Sequence, residues 1–188
     1  MNAAPTQVPG PAGRPGAAGP PPGSELPAAG LAETILRRLG AVGGTVATAE
    51  SLTGGLLAAA LTDVPGASAF YRGGVVSYAT DLKVSLLGVP GSLVETTGAV
   101  DPRVAQAMAR GAARVCGASY GVATTGVAGP DPQDGKPVGL VYVAVARGTG
   151  DDGAVREHTF TGSRVAIRAQ AVHAALTLLH EVLAGERG

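Results

Sequence analysis

From residue 24 onward, short apolar runs bounded by glycine or small polar residues alternate with segments whose apolar residues recur every three or four positions. That rhythm leaves few folds open. Each strand-like run is too short to stand alone, and each helix-like stretch has one apolar stripe to cover. Layering helices against a sheet solves both problems at once, so the chain is expected to be an α/β protein, a three-layer α/β/α sandwich.

The spacing predicts a helix over "SELPAAGLAETILRRLG", with Ser24 as a possible cap and Leu31, Ile35 and Leu39 on one stripe. "GTVATA" (44–49) reads as a buried strand, 52–62 as a helix stopped by "DVPGAS", and "FYRGGVVSYA" (70–79) as a strand with a Gly-Gly irregularity fit for a bulge. "TDLKVSLLGV" follows as a short helix with a Thr80 cap. Asp101 then Pro102 is strong start chemistry for a further helix ending near Cys116. "YGVATTGVAG" is strand then glycine loop, and "VGLVYVAVA" and "AVREHTF" read as two paired strands, which makes the sheet mixed. The closing helix shows the stripe Val165, Ala169, Val172, Leu176, Leu179 and Leu183.

Residues 1–23 hold half of the 14 prolines and almost no large apolar side chain, and read as a disordered tail ahead of one domain, 24–188. Lys+Arg and Asp+Glu balance at 14 each, aromatics are 3%, and tryptophan is absent. Neither a field for nucleic acid nor a stacking platform is on offer, and no apolar run is long enough to span a membrane. With one cysteine, Cys116, and no leader pattern, a cytoplasmic protein is expected.

Between the first strand and the next helix lies Glu50-Ser51-Leu52-Thr53-Gly54-Gly55. A carboxylate, two hydroxyls and two glycines are more than a connection needs. A strand end feeding a helix start gathers N–H groups that lack helical partners, which suits a phosphate or the oxyanion of acyl transfer. Ser51 is either a nucleophile there or a plain helix cap. The stretch matches neither a Walker loop, a dinucleotide fingerprint nor a Gly-x-Ser-x-Gly elbow. A serine nucleophile needs a base. His158, His173 and His180 are placed as structural or surface residues, and no metal-ligand spacing occurs. Of two lysines, Lys83 follows Tyr78 by five positions across a strand end, where desolvation lowers a lysine pKa. The alternative is a strand-end tyrosine and a solvated lysine.

At these residues the sequence resembles the C-terminal domain family of CinA, the competence/damage-inducible protein, whose stand-alone members are nicotinamide-nucleotide amidohydrolases. The matching stretches are "TAESLTGG", "GGVVSYATDLKVSLLGV", "GAVDPRVAQAMARGA", "ATTGVAGPDP", "KPVGLVYVAV" and "FTGSRVAIRAQAVHAAL", covering residues 25–184. Leu52 stands where the family often has cysteine, so Ser51 is the nucleophile implied. The loop "GPDPQDGKPVG" looks shorter than the family's usual version, and the nucleotide-pyrophosphatase-like domain of full-length members has no counterpart here.

The resemblance implies hydrolysis of the carboxamide of nicotinamide mononucleotide (NMN), with Ser51 as nucleophile, Lys83 as base directly or through Tyr78, and N–H groups at the start of the 52–62 helix on the oxyanion. Neither cofactor nor metal is required. Glu50, Thr53, Gly54 and Gly55 are the expected substrate contacts nearby, Glu50 being equally placed to bind ribose hydroxyls, orient Lys83 or cap a backbone group. Thr125 and Gly126 of "TTGVAG", with Arg164 and Arg168 four apart on the last helix, are expected to hold the phosphate. The family's tendency to associate implies a homo-oligomer, a dimer. Short-chain dehydrogenases also use Ser, Tyr and Lys, but space the last two by four on one helix. A non-enzymatic nucleotide-binding or protein-interaction domain linked to competence or DNA damage is the remaining alternative.

Overall fold

A computed structural model describes residues 28–148, 150 and 152–185; the expected tail and the Ser24 cap lie outside them. The order is α1 (Ala28–Val42), β1 (Val46–Glu50), α2 (Leu56–Thr62), β2 (Tyr71–Val76), α3 (Thr80–Ser85), α4 (Gly91–Thr97), α5 (Pro102–Cys116), β3 (Tyr120–Gly126), β4 (Leu140–Arg147), β5 (Gly153–Thr159) and α6 (Arg164–Gly185).

The strands form one sheet in the order β2-β1-β3-β4-β5. β2, β1 and β3 run parallel, and β4 pairs antiparallel with both β3 and β5, so the sheet is mixed as the pattern predicts. Pairing between β1 and β2 slips after Val46↔Tyr71 to Ala47↔Gly73, which places the expected irregularity at Arg72.

Helices cover both faces, in chemically different ways. On one, α1, α2 and α6 bury Leu31, Ile35, Leu39, Leu57, Leu61, Ile167, Leu176 and Leu179. On the other, α5 lies against Ala47, Ala49, Ala123 and Ala144 through Ala105, Ala109 and Ala112. Small residues let backbones approach there. A Cβ on Gly121 of β3 would strike the Ala109 carbonyl oxygen of α5. The start of α5 follows its sequence: Asp101 Oδ1 accepts from Arg103 N–H at 2.9 Å, and Pro102 occupies the first helical position. Such a cap is worth about 1 kcal/mol.

Three expectations need correction. α2 begins at Leu56 rather than 52, because Ser51–Gly54 and Thr53–Leu56 close as turns and Gly54 and Gly55 take left-handed φ of 58° and 99°. Thr80 is the first helical residue of α3, with Ala79 at the cap position. On α6, Val165 is 73% exposed and Ile167 faces the core instead. α4 is an additional helix.

The chain leaves β1 for β2 on one side and crosses back to β3 on the other. The C-terminal ends of β2, β1 and β3 therefore lie side by side where the connections diverge, the usual ligand crevice of open α/β sheets.

Candidate active site

A cleft of about 150 Å³ opens at those strand ends. A cavity of roughly that size accepts one six-membered ring. Ser51 from the end of β1, Tyr78 and Lys83 from the β2–α3 junction, and Thr125 and Gly126 from β3 all line it, as does Arg164 from the start of α6. Ala99, Val100, Val127 and Ala128 supply apolar wall. Thr80, expected only as a helix cap, also reaches it, as do Asp131 and Gln133, which sequence reasoning did not single out. Asp131 and Gln133 belong to the 129–139 loop, whose composition alone does not reveal which side chains turn inward.

Lys83 is the largest polar side chain in the interior, 1% exposed. Its Nζ donates to Ser77 O at 2.6 Å and, weakly, to Tyr78 O at 3.5 Å. Carbonyl dipoles replace water there, but no carboxylate touches the ammonium among the described residues. Burial accordingly lowers its pKa to about 8, with Asp81 of the same helix opposing. The Ser51 hydroxyl makes no hydrogen bond among the described residues, neither to Lys83 nor to Tyr78. Resting catalytic pairs are often this loose. Tyr78, 59% exposed, accepts at Oη from Arg164 Nη2 at 2.8 Å, and Arg164 Nη1 donates to Gly129 O at 2.7 Å. Arg164 thus stands at the mouth.

Other expected contacts have different occupations. Glu50 is buried at the end of β1, and its carboxylate accepts from Gly55, Leu57 and Ala58 N–H at 2.8–3.0 Å. Of its three open roles, the cap is the one observed, and a negative charge suits that helix end. The first-turn N–H groups of α2, expected to face an oxyanion, are therefore occupied. Thr53 is buried, its hydroxyl 2.8 Å from that of Thr124, and pins the turn to β3. Gly54 and Gly55 shape the turn and do not line the cleft. Arg168 also lies off the cleft; Nε donates to Leu52 O at 2.9 Å and Nη2 to Thr53 O at 2.8 Å. Thr125 keeps its place in the cleft while its hydroxyl donates to Ala99 O at 2.8 Å. Gly126 is required by packing, since a Cβ would come within 2.6 Å of Leu140 O.

The turn after β1 leaves two N–H groups over. Ser51 N–H goes to Thr124 O, Gly54 N–H to Ser51 O and Leu56 N–H to Thr53 O. Leu52 and Thr53, both buried residues, have no acceptor for theirs among the described residues. Buried N–H groups are rarely left so.

None of the three histidines lines the cleft. His158 stacks on Phe160 with ring centroids 5.0 Å apart. Cys116 is half-buried at the end of α5, and burial pushes its thiol pKa up. No group of three or more metal-ligating side chains gathers among the described residues, and no helix there is long and apolar enough to cross a membrane.

The family described as CinA C-terminal domain matches residues 28–183. This chain belongs to it. A CinA-like protein of Frankia casuarinae is 56% identical over 142 residues, 75% of this chain and 32% of that protein. A CinA-like protein of Geobacter sulfurreducens is 49% identical over 140 residues, 74% of this chain and 33% of that one. The chain thus spans about a third of the length of the curated relatives it matches. Solved structures of single CinA-type domains match over nearly their whole length. A CinA superfamily protein from Klebsiella pneumoniae superposes with a TM-score of 0.81 at 35% identity, covering 86% of this chain and 100% of that one. The competence/damage inducible protein CihA from Agrobacterium tumefaciens gives 0.78 at 39% identity, covering 84% and 95%. The α/β/α sandwich with a mixed sheet is thus this CinA family's fold.

Proposed function

We propose that this CinA-family chain is an amidohydrolase that converts NMN to nicotinate mononucleotide and ammonia. The observation that carries the reading is the meeting of Ser51 with Lys83, a buried lysine of lowered pKa, in a cleft sized for one ring.

In this reading the pyridinium ring lies against Val100, Val127 and Ala128, with its carboxamide toward Ser51. The cationic ring draws electrons from the amide carbon. Ser51 Oγ attacks that carbon while its proton passes to neutral Lys83. The negative charge moves to the carbonyl oxygen, and the N–H groups of Leu52 and Thr53 receive it. Lys83 returns the proton to the amide nitrogen, the C–N bond breaks, and ammonia leaves an ester on Ser51. Water then gives a proton to Lys83 and adds to the ester carbon. Collapse expels Ser51 Oγ, which regains its proton, and releases the carboxylate. The nucleotide's phosphate lies at the mouth, where Arg164 has a guanidinium beside Tyr78.

The test is direct. The purified protein is incubated with NMN, and ammonia and nicotinate mononucleotide are followed. Equal molar release of both supports the reading. Binding of NMN without release of either favours a nucleotide-binding domain instead.

A further inference from the structure

We propose that Arg168 is a positioning residue for the oxyanion site and takes no part in phosphate binding. This inference rests on the amidohydrolase reading above.

The reasoning begins with peptide planes. In a trans peptide the C=O and the following N–H point in opposite directions. Arg168 Nε holds Leu52 O at 2.9 Å, so Thr53 N–H faces away from Arg168. Gly54 N–H holds Ser51 O at 3.1 Å, so Leu52 N–H faces away from the interior of that turn. Arg168 Nη2 on Thr53 O at 2.8 Å fixes the next plane. The two N–H groups left without acceptors are those whose directions these bonds set. Ser51 and Leu52 line the cleft, Thr53 follows them directly in the chain, and Arg168 lies off the cleft. A planar guanidinium with two donors on consecutive carbonyls clamps orientation in a way that a single ammonium does not.

The turn's own bonds, Gly54 N–H to Ser51 O and Leu56 N–H to Thr53 O, leave the Leu52 carbonyl without a local donor. Gly54 and Gly55 have wide conformational freedom and sit in left-handed φ. Glu50 anchors the α2 side and Thr124 the β3 side. Between those anchors, the carbonyls of Leu52 and Thr53 are tied, among the described residues, to a distant part of the chain only through Arg168. Without it, the Leu52–Thr53 peptide plane loses the bond that orients it, Thr53 N–H is no longer aimed, and the turn that presents Leu52 N–H loosens beside it.

The test compares the parent with Arg168→Ala and Arg168→Lys, on NMN and on its phosphate-free nucleoside. Removing an oxyanion donor typically costs about 10²–10³ in kcat. Arg168→Ala is expected to lose about that factor in kcat on both substrates, with KM changed less than about threefold. Guanidinium ion at millimolar concentration is expected to restore part of the rate, and Arg168→Lys to fall between. A rise in KM for NMN alone, with kcat kept, overturns the proposal in favour of phosphate binding.

A second readout needs no turnover. In amide NMR spectra of the free protein, the Leu52 and Thr53 signals are expected to broaden or split in Arg168→Ala, while Leu57 and Ala58, held by Glu50, stay sharp. Single, unshifted Leu52 and Thr53 signals overturn the proposal. A parent that releases no ammonia overturns the amidohydrolase reading, and the amide spectra still decide whether Arg168 orders the turn.

Discussion

Glu50 and Ser51 are consecutive residues with separate duties: the Glu50 carboxylate closes the first turn of α2, and the Ser51 hydroxyl lines the cleft outside that cap. The division separates stability from chemistry at adjacent positions. Ser51→Ala removes a hydroxyl that makes no hydrogen bond among the described residues, so its melting temperature is expected to stay within about 1 °C of the parent, against the roughly 2–4 °C that a lost cap of about 1 kcal/mol would cost. Ammonia release should fall by several orders of magnitude while NMN still binds in calorimetry. Retention of a tenth of the rate in a folded Ser51→Ala protein would sink the covalent mechanism.

Glu50→Ala should do the reverse. It strips three N–H groups of a charged acceptor at a buried helix end, a loss on the order of 3 kcal/mol or more. For a chain of this size that corresponds to roughly 6–12 °C in melting temperature. Glu50→Gln keeps an acceptor and should lose less. Thermal unfolding of the two variants checks the order.

The reaction should speed up with pH. In the proposed mechanism only neutral Lys83 accepts the serine proton, and its pKa is lowered to about 8 by burial. From pH 6 the rate is expected to climb about tenfold per unit and level off above about pH 8. Folding stability follows the same group. Because the folded pKa lies below that of a free lysine, the unfolded chain binds more protons between about pH 8 and about 10.4. In that window Lys83 makes stability rise with pH; below it the penalty of burying the charge is present in full. Lys83→Met lifts that penalty and removes the base, so it should melt no lower than the parent at pH 7 and release no ammonia. A flat pH–rate profile from 6 to 9 would exclude Lys83 as the base.

Arg164 faces the mouth through Tyr78 and Gly129, so Arg164→Ala should act on substrate binding. Losing a charge-assisted pair costs about 1.5–3 kcal/mol, roughly ten- to a hundredfold in KM for NMN. Little change is expected for the phosphate-free nucleoside. Equal effects on both would move the phosphate elsewhere, with Thr125 and Gly126 next to test.

The meeting of Ser51, Tyr78 and Lys83 was legible in the sequence because each follows a strand, and parallel strands bring their C-terminal ends together. The capping Asp101, the bulge in β2 and the β4–β5 pair were legible for similarly local reasons. Arg168 and Thr53 were not. Spacing of four puts Arg164 and Arg168 on one face of a helix, but which acceptor each finds depends on the segments that follow β1, β2 and β3, far away in the chain. Glu50 had three open roles for the same reason. The start of α2 was misplaced because Leu52 fits a helical stripe, whereas two left-handed glycines hold off the helix until Leu56. α4 was not anticipated, and Pro90 occupies its cap position.

The backbone contact between Gly121 and Ala109 bears on how a saturation mutagenesis map of this chain should be interpreted. Any side chain at Gly121 pushes α5 away from β3, and β3 ends at Thr125 and Gly126 in the cleft. For the proposed reaction, a displaced strand end would misalign the cleft with no contact to the substrate. Gly121 would therefore score as a position needed for turnover. A phenotype there reports the spacing between two layers, and only variants on the cleft surface itself report recognition.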